Sequence, residues 1–128
     1  VARDFVHGSP ICHAPCMVRK EAYNKVGGYT VDKRLLRVED YELWVKMYAA
    51  GYKGYNLGEY LYSMRDDRNA IARRNWKNRK NEIYAHWLAY KRLNLSFFKF
   101  VKFVAITTCK AICPQFVYDY FHKKNMNL

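Results

Sequence analysis

The sequence lacks any hydrophobic run long enough to cross a membrane. In the apolar region towards its C-terminus, the two longest runs without a charged residue, 103–109 and 111–118, contain seven and eight residues, whereas a membrane-spanning helix needs about 20. An initiator methionine, a signal peptide, internal repeats and low-complexity tracts are also absent. We therefore expect the chain to be a piece of a longer protein.

Acidic residues are scarce and basic residues are unevenly placed. The 128 residues include 23 Lys and Arg against 11 Asp and Glu, for a formal net charge of +12. Residues 1–64 carry a net +2 and residues 65–128 a net +10. A cationic region of this kind favours phosphate, either in nucleic acid or at an anionic membrane surface. The hydrophobic fraction of 51% excludes a disordered chain and is sufficient for one modest domain.

The cysteines allow two interpretations. They form two C-x-x-x-C pairs, Cys12 with Cys16 and Cys109 with Cys113. Without a secretion signal, four cysteines in a chain of this length are expected to be reduced thiols. Zinc is the alternative, because His7 and His13 lie close to the first pair. The spacing is looser than that of common structural zinc sites, so we predict no metal site.

The strongest helix signal covers residues 39–50. Tyr41, Trp44, Val45 and Tyr48 recur at i, i+3, i+4 and i+7, which is typical of one apolar helix face. Gly51 is a suitable C-terminal residue.

Other elements are predicted around this helix. Residues 11–19 are expected to form a short strand or extended segment, 20–26 a short helix ended by Gly27 and Gly28, and 30–38 a basic loop. Residues 52–64 alternate in a way that predicts two short strands around Gly58. Two longer helices are predicted, one over 68–93 capped by Asp66 and Asp67, and one from 97 to about 122, interrupted at Pro114.

Five segments occur in an order that is characteristic of one enzyme family. They are residues 13–20 (His-Ala-Pro-Cys-Met-Val-Arg-Lys), 21–29 (ending Val-Gly-Gly-Tyr), 39–44 (Glu-Asp-Tyr-Glu-Leu-Trp), 50–53 (Ala-Gly-Tyr-Lys) and 60–62 (Tyr-Leu-Tyr). Over about residues 10–65 the chain resembles the acceptor-side half of nucleotide-sugar-dependent glycosyltransferases of the large inverting family 2. The resemblance implies the C-terminal part of such an enzyme.

The same resemblance implies an α/β fold class, as a fragment of the Rossmann-like GT-A fold. Residues 1–65 would hold short strands and helices of the catalytic domain. Residues 66–128 would form a basic, mostly α-helical extension. The family's donor-binding half is missing, because no Gly-rich phosphate loop or Asp-x-Asp metal motif occurs on a strand end. We therefore expect this chain alone to be inactive.

The resemblance also implies the site residues. Asp40 matches the family's usual catalytic base, Glu39 would orient it or bind acceptor hydroxyls, and Trp44 would offer an apolar face to a sugar ring. Many relatives have Arg-x-His after the final strand, whereas this chain has Ser63-Met64-Arg65 and lacks the His. Arg65 would pair with the donor's diphosphate instead. Without the family context, the acidic pair is a helix cap, Trp44 is a core residue and Arg65 is a solvated cation.

The implied cofactor and substrates concern the full enzyme. A divalent cation, Mg or Mn, is expected there, with most of its ligands outside this chain. The implied partners are a nucleotide-sugar donor and a glycan or lipid-linked acceptor, in a bacterial cell-surface polysaccharide pathway.

The basic C-terminal half has its own candidate partners. Lys99, Lys102 and Lys110 share one arc of the last predicted helix, and its phenylalanines supply apolar surface, a combination that suits an anionic bilayer. This predicts a cytoplasmic protein, peripheral on the inner face of the cell membrane. A subunit-docking module without catalysis is a further alternative.

Nucleic acid is the other anionic partner considered. A second basic cluster is interleaved with Trp76: Arg68, Arg73, Arg74, Lys77, Arg79 and Lys80. No zinc finger, helix-turn-helix spacing or RNA-binding aromatic motif accompanies it, so nucleic-acid binding is the less favoured function.

Overall fold

The computed structural model describes residues 2–6, 8–63 and 76–112. The described part consists of helices joined by irregular segments. Its α-helices are α1 (Lys20–Lys25), α2 (Glu39–Ala49), α3 (Trp76–Arg92) and α4 (Phe97–Ile112), and two short 3-10 helices cover Ala2–Val6 and Lys33–Leu35.

Glycines end α1 and α2 as the sequence predicts. Gly27 and Gly28 follow α1 with φ angles of 75° and 61°, and Gly51 follows α2 with a φ of 88°. This left-handed backbone conformation has little steric cost for a residue without a Cβ atom. Behind Gly51, the Tyr52 N–H donates to the Met47 carbonyl at 3.0 Å, which satisfies one of the last carbonyls of α2.

Helix α2 lies at the centre of the hydrophobic core. It supplies Tyr41, Leu43, Trp44, Val45 and Met47, all buried. Phe5 and Leu35 from the two 3-10 helices, and Ala85 and Ala89 from α3, complete the same cluster. The predicted helix is therefore confirmed to within one residue at its end, and Tyr41, Trp44 and Val45 of its predicted apolar face are buried. Tyr48 of that face is only half-buried, while Leu43 and Met47 are buried on another side of the helix. The predicted division into 1–65 and 66–128 stays a prediction, although residues from both sides share this core.

The predicted α/β class is wrong, because the described residues contain no strand and no sheet. The alternation in residues 52–64 indicated strands, but a strand also needs a neighbouring strand to pair its N–H and C=O groups. Residues 53–63 have no such neighbour within the described chain, and their aromatic side chains are exposed, with Tyr55 at 87% and Tyr60 at 107%. Residues 11–19 likewise form turns and an unpaired extended stretch, not a strand.

Helices α3 and α4 form a packed pair joined by a tight turn. Asn94 adopts a left-handed φ of 49°, and the Leu95 N–H donates to the Tyr90 carbonyl at 3.2 Å across the end of α3. The parts of these two predicted helices in 68–75 and beyond 112, with the Asp66 and Asp67 cap and the Pro114 interruption, lie outside the described residues. Among the helices that the structure describes, none combines the length and apolar content that a membrane span requires.

A buried polar contact joins α2, α3 and the first 3-10 helix. The Tyr41 hydroxyl donates to the Phe5 carbonyl at 2.7 Å and lies 3.2 Å from His86 Nδ1. Because the hydroxyl has one proton, which the carbonyl receives, His86 Nδ1 must be the donor to the Tyr41 oxygen. Burial raises the pKa of Tyr41 and lowers the pKa of His86 to about 4. The imidazole is therefore neutral in the folded protein.

This neutral imidazole predicts a loss of stability in mild acid. Unfolded His titrates near 6.5, whereas folded His86 takes up a proton only near pH 4. Between these values the unfolded state binds more protons, so the free energy of unfolding should fall by about 3 kcal/mol as the pH drops from 6.5 to 4. Urea titrations across this range would measure the fall. His86→Gln should remove most of this pH dependence, and an identical pH profile in the variant would contradict the assignment.

Candidate active site

The acidic pair lies in the first turn of α2, two residues after a left-handed residue. Arg37 has a φ of 73°, an uncommon backbone conformation for a residue with a side chain. Val38 is the N-cap and offers no side-chain hydrogen bond to the helix. Instead, Asp40 Oδ1 accepts a hydrogen bond from the Tyr41 N–H at 2.8 Å. The first turn of the helix thus holds the Asp40 carboxylate in place.

The Asp40 carboxylate keeps free hydrogen-bonding capacity on the protein surface. Asp40 is half-buried, and Glu39 beside it is exposed. No cation among the described residues forms an ion pair with either carboxylate, and no described residue bonds to Asp40 Oδ2. Capping therefore uses one oxygen of Asp40 and leaves the other available to a ligand.

A hydrogen-bonded pair of Tyr29 and His13 lies against α2, where His13 contacts Trp44. The Tyr29 hydroxyl lies 3.1 Å from His13 Nε2, and the Tyr29 ring packs edge-on against Tyr23 with centroids 5.9 Å apart. Burial raises the pKa of the Tyr29 hydroxyl, and the charges of Tyr23, Asp40 and Glu39 raise it further. Tyr29 therefore stays a neutral hydroxyl.

Trp44 lies one helical turn after Asp40, on the same side of α2. Its side chain is 4% exposed, and its ring packs against His13 with centroids 5.8 Å apart. Within the described chain, its Nε1–H is the one buried side-chain polar group without a hydrogen-bond partner. A buried donor without a partner is costly, which makes the indole N–H a candidate group for binding a ligand oxygen.

Glu42 is a structurally important residue that sequence reasoning missed. It is 1% exposed, and its carboxylate forms an ion pair with Arg92 of α3 and another, at 3.6 Å, with Lys46. The Thr30 hydroxyl donates to Glu42 Oε2 at 2.9 Å. Lys46 Nζ donates to the Gly28 carbonyl and, at 3.0 Å, to the Thr30 hydroxyl.

This buried network joins the acidic end of α2 to α3 and to the turn that carries Tyr29. The sequence did contain one local signal, because Glu42 and Lys46 have the i, i+4 spacing of a helical ion pair. No local sequence pattern indicated Arg92 as a partner of Glu42, because Arg92 is 50 residues away along the chain.

Arg65, the predicted diphosphate-binding residue, lies outside the described residues. The sequence therefore remains the basis of that assignment.

The described cysteines do not form a metal site. Cys12, Cys16 and Cys109 are free thiols, and the Cys16 thiol donates to the Cys12 carbonyl at 2.7 Å. Burial, and then the neighbouring Cys12, raise the pKa of Cys16. In the described ranges no three His, Cys, Asp or Glu side chains come together as a metal centre would require; His7 and Cys113 lie outside those ranges.

Comparison with known proteins bears directly on this site. The chain is 34% identical over 119 residues to EpsE of Bacillus subtilis, which carries a provisional glycosyltransferase name; the match covers 93% of this chain and 42% of EpsE. It is 29% identical over 117 residues to an Escherichia coli enzyme named UDP-Gal:alpha-D-GlcNAc-diphosphoundecaprenol beta-1,3-galactosyltransferase, covering 91% of this chain and 42% of that enzyme. The predicted relationship to glycosyltransferases is confirmed.

A third relative extends this pattern. The amylovoran biosynthesis glycosyltransferase AmsE of Erwinia amylovora is 25% identical over 118 residues, covering 91% of this chain and 43% of AmsE. The chain therefore spans less than half the length of these three glycosyltransferases, which is consistent with the predicted C-terminal portion of such an enzyme. No family model matches the chain, and no solved structure matches it. The roles of Asp40, Glu39, Trp44 and Arg65 stay predictions.

Proposed function

We propose that the whole protein transfers a sugar from a nucleotide-sugar donor to a hydroxyl of a glycan or lipid-linked acceptor, with inversion, and that Asp40 is its general base. The observation that carries this proposal is the Asp40 carboxylate itself. It is held at the start of α2, has an oxygen free of described partners, and lies among side chains suited to a sugar. The similarity to glycosyltransferases supports the same reaction class.

The proposed step is a single displacement at the anomeric carbon. Asp40 takes the proton of the acceptor hydroxyl as its oxygen bonds to the anomeric carbon. The bond from that carbon to the diphosphate breaks, and the nucleoside diphosphate leaves from the opposite face with the bonding electrons. Glu39 orients Asp40 or accepts from another acceptor hydroxyl, and the Trp44 indole N–H donates to an acceptor oxygen. Arg65 pairs with the charge of the diphosphate.

The described residues do not fit the divalent cation expected in the full enzyme. They contain no carboxylate cluster that would hold Mg or Mn, and such ions favour several oxygen ligands. We therefore assign no cation ligand and no cation-dependent step to them. The proposal leaves the cation, and most of the donor site, to residues other than those described, most of them outside this chain.

The names of the relatives suggest substrates to test first. The E. coli enzyme is named for UDP-galactose as donor and for a GlcNAc-diphosphoundecaprenol acceptor, and AmsE is named for amylovoran biosynthesis. We propose a lipid-linked acceptor and a role in polysaccharide biosynthesis. Full-length protein should transfer sugar from one member of a panel of nucleotide-sugars, beginning with UDP-galactose, to this acceptor. NMR of the product should show an inverted anomeric centre, and retention, or no transfer from any donor, would overturn the proposal.

An anionic membrane surface is the partner we propose for α4. Phe98, Val101 and Ile112 are 84%, 47% and 75% exposed on one face of this helix, and the exposed Lys99 and Lys102 lie beside them. Exposed phenylalanine beside lysine suits the boundary of an anionic bilayer. The side chain of Lys110, the third lysine of the predicted arc, is not among those described. The proposed localisation is cytoplasmic and peripheral, on the inner face of the cell membrane.

Vesicle sedimentation would test this membrane contact. Full-length protein should pellet with vesicles containing phosphatidylglycerol, less with phosphatidylcholine vesicles, and should be released at high salt because the lysine contribution is screened. Phe98→Ser should weaken pelleting by about 10-fold, since the variant removes exposed apolar surface. Tyr55→Ser, an exposed aromatic away from α4, is the matched control. Equal binding to both vesicle types would argue against the proposed surface.

Nucleic-acid binding gains no support from the described part of the basic cluster. Arg79 forms an ion pair with Glu82 at 2.7 Å and its side chain is only 14% exposed. Lys77 and Lys80 are exposed on the same helix, while Arg68, Arg73 and Arg74 lie outside the described residues.

A further inference from the structure

We infer that His13 and Tyr29 act as a hydrogen-bonded pair that positions the acceptor hydroxyl beside Asp40. This inference rests on the proposed function and adds two positioning residues to its site. Neither side chain was predicted from the sequence to take part in acceptor binding.

The pair extends the candidate site from Trp44 of α2 to the turn that carries Tyr29. His13 packs against Trp44, whose buried N–H has no described partner, and bonds through Nε2 to the Tyr29 hydroxyl. Trp44 in turn lies one helical turn after Asp40, on the same side of α2. An acceptor sugar held by Asp40 would therefore extend over the side of α2 that carries this pair.

The proposal requires one arrangement of the protons in this pair. The Tyr29 hydroxyl has one proton, which must point away from His13 if it is to reach the acceptor. His13 Nε2–H then donates to the Tyr29 oxygen. In this arrangement His13 leaves the Tyr29 O–H free to donate to the oxygen of the acceptor hydroxyl while Asp40 accepts its proton.

A purely structural role for this pair is the main alternative. Tyr29 is 39% exposed and His13 is exposed as well, so loss of their hydrogen bond should change the free energy of unfolding little. A positioning role should instead alter the acceptor KM, because it concerns how the acceptor is held.

Tyr29→Phe isolates the hydroxyl. It keeps the ring that packs against Tyr23 and His13, with centroids 5.9 and 6.1 Å apart, and removes only the polar atom. With UDP-galactose and GlcNAc-diphosphoundecaprenol, the full-length variant should show an acceptor KM raised about 10-fold. Its rate of donor hydrolysis without acceptor should equal that of wild type. Tyr55→Phe, which removes an exposed hydroxyl elsewhere, should change neither value.

Two variants of His13 provide the matched comparison. A Gln side chain can place its amide nitrogen near the position of Nε2, whereas Asn is too short. His13→Gln should therefore keep an acceptor KM close to wild type, and His13→Asn should raise it about as much as Tyr29→Phe. Because the two residues act as one unit, the double variant Tyr29→Phe with His13→Asn should be no worse than Tyr29→Phe alone.

The outcomes separate this inference from the function on which it rests. If Asp40→Asn loses transfer while Tyr29→Phe keeps the wild-type acceptor KM, the positioning role is overturned and the proposed base remains. Equal effects of His13→Gln and His13→Asn would also overturn the role of the hydrogen bond. If Asp40→Asn transfers sugar normally, the proposed function itself is overturned.

Discussion

Asp40→Asn in the full-length protein should reduce sugar transfer by roughly 100- to 10,000-fold, the usual contribution of a general base. The amide has nearly the same shape as the carboxylate, and its oxygen can still accept from the Tyr41 N–H. It cannot accept the acceptor's proton. Transfer would be measured as labelled sugar appearing in the lipid-linked product, with folding checked by circular dichroism.

The donor side of the reaction should be unaffected by this change. Donor binding and slow donor hydrolysis depend on residues that we place outside this chain, so both should stay near wild type. Glu39→Gln, next to the base, should reduce transfer by a smaller factor, because an orienting group contributes less than the base. Glu59→Gln, an exposed acid elsewhere, is the charge-matched control and should be neutral. Wild-type transfer by Asp40→Asn would refute the assignment.

Glu42→Gln should lower the free energy of unfolding by about 3 kcal/mol, within the range for breaking a buried ion pair. Glu42 is 1% exposed, and the change leaves Arg92 and Lys46 without their carboxylate. Arg92 remains partly in contact with solvent, with 37% of its side chain exposed, which places the loss towards the lower end of that range. Urea denaturation followed by circular dichroism would measure it.

A surface ion pair in the same protein provides the control. Glu82→Gln removes the partner of Arg79 from a more exposed site, where such pairs contribute about 0–1 kcal/mol. Replacing both Glu42 and Arg92 with Leu should recover part of the stability lost in Glu42→Gln, because Arg92 is then no longer a cation without its carboxylate. If Glu42→Gln costs no more than Glu82→Gln, the buried network does not stabilise the fold.

The Glu42 network also links stability to the candidate site. Thr30 and the Gly28 carbonyl, which the network holds, flank Tyr29 in the chain. We therefore expect Glu42→Gln to reduce both sugar transfer and the free energy of unfolding. Asp40→Asn should reduce transfer without a comparable loss of stability.

Local sequence signals were sufficient for the helical elements. The spacing of Tyr41, Trp44, Val45 and Tyr48 and the glycine at 51 predicted α2 correctly, because each signal acts within one or two helical turns. The same holds for α1, ended by Gly27 and Gly28. The strands predicted in 52–64 were wrong because strand formation depends on a pairing partner, which a pattern of alternating side chains does not supply.

For the candidate site, too, some features were indicated by the sequence and others only by the structure. The order of the segments from His13 to Tyr62 was sufficient to indicate a glycosyltransferase, because each segment is a short stretch of adjacent residues. The role of Asp40, which the same resemblance implied, stays a prediction. The sequence also allowed two interpretations of Trp44, either as a flat surface for a sugar ring or as a residue of the core. The structure places its ring in the core and leaves its indole N–H without a described partner.

The sequence by itself determined the positions of α1 and α2 to within a residue and the similarity to glycosyltransferases. Tertiary structure alone decided that Glu42 is buried against Arg92, and that His13 meets Tyr29 and Trp44 beside the acidic pair. The physical reason is the distance along the chain over which each interaction acts. Helix periodicity and glycine caps are local properties of the chain, whereas ion pairs, ring contacts and strand pairing depend on residues that only folding brings together.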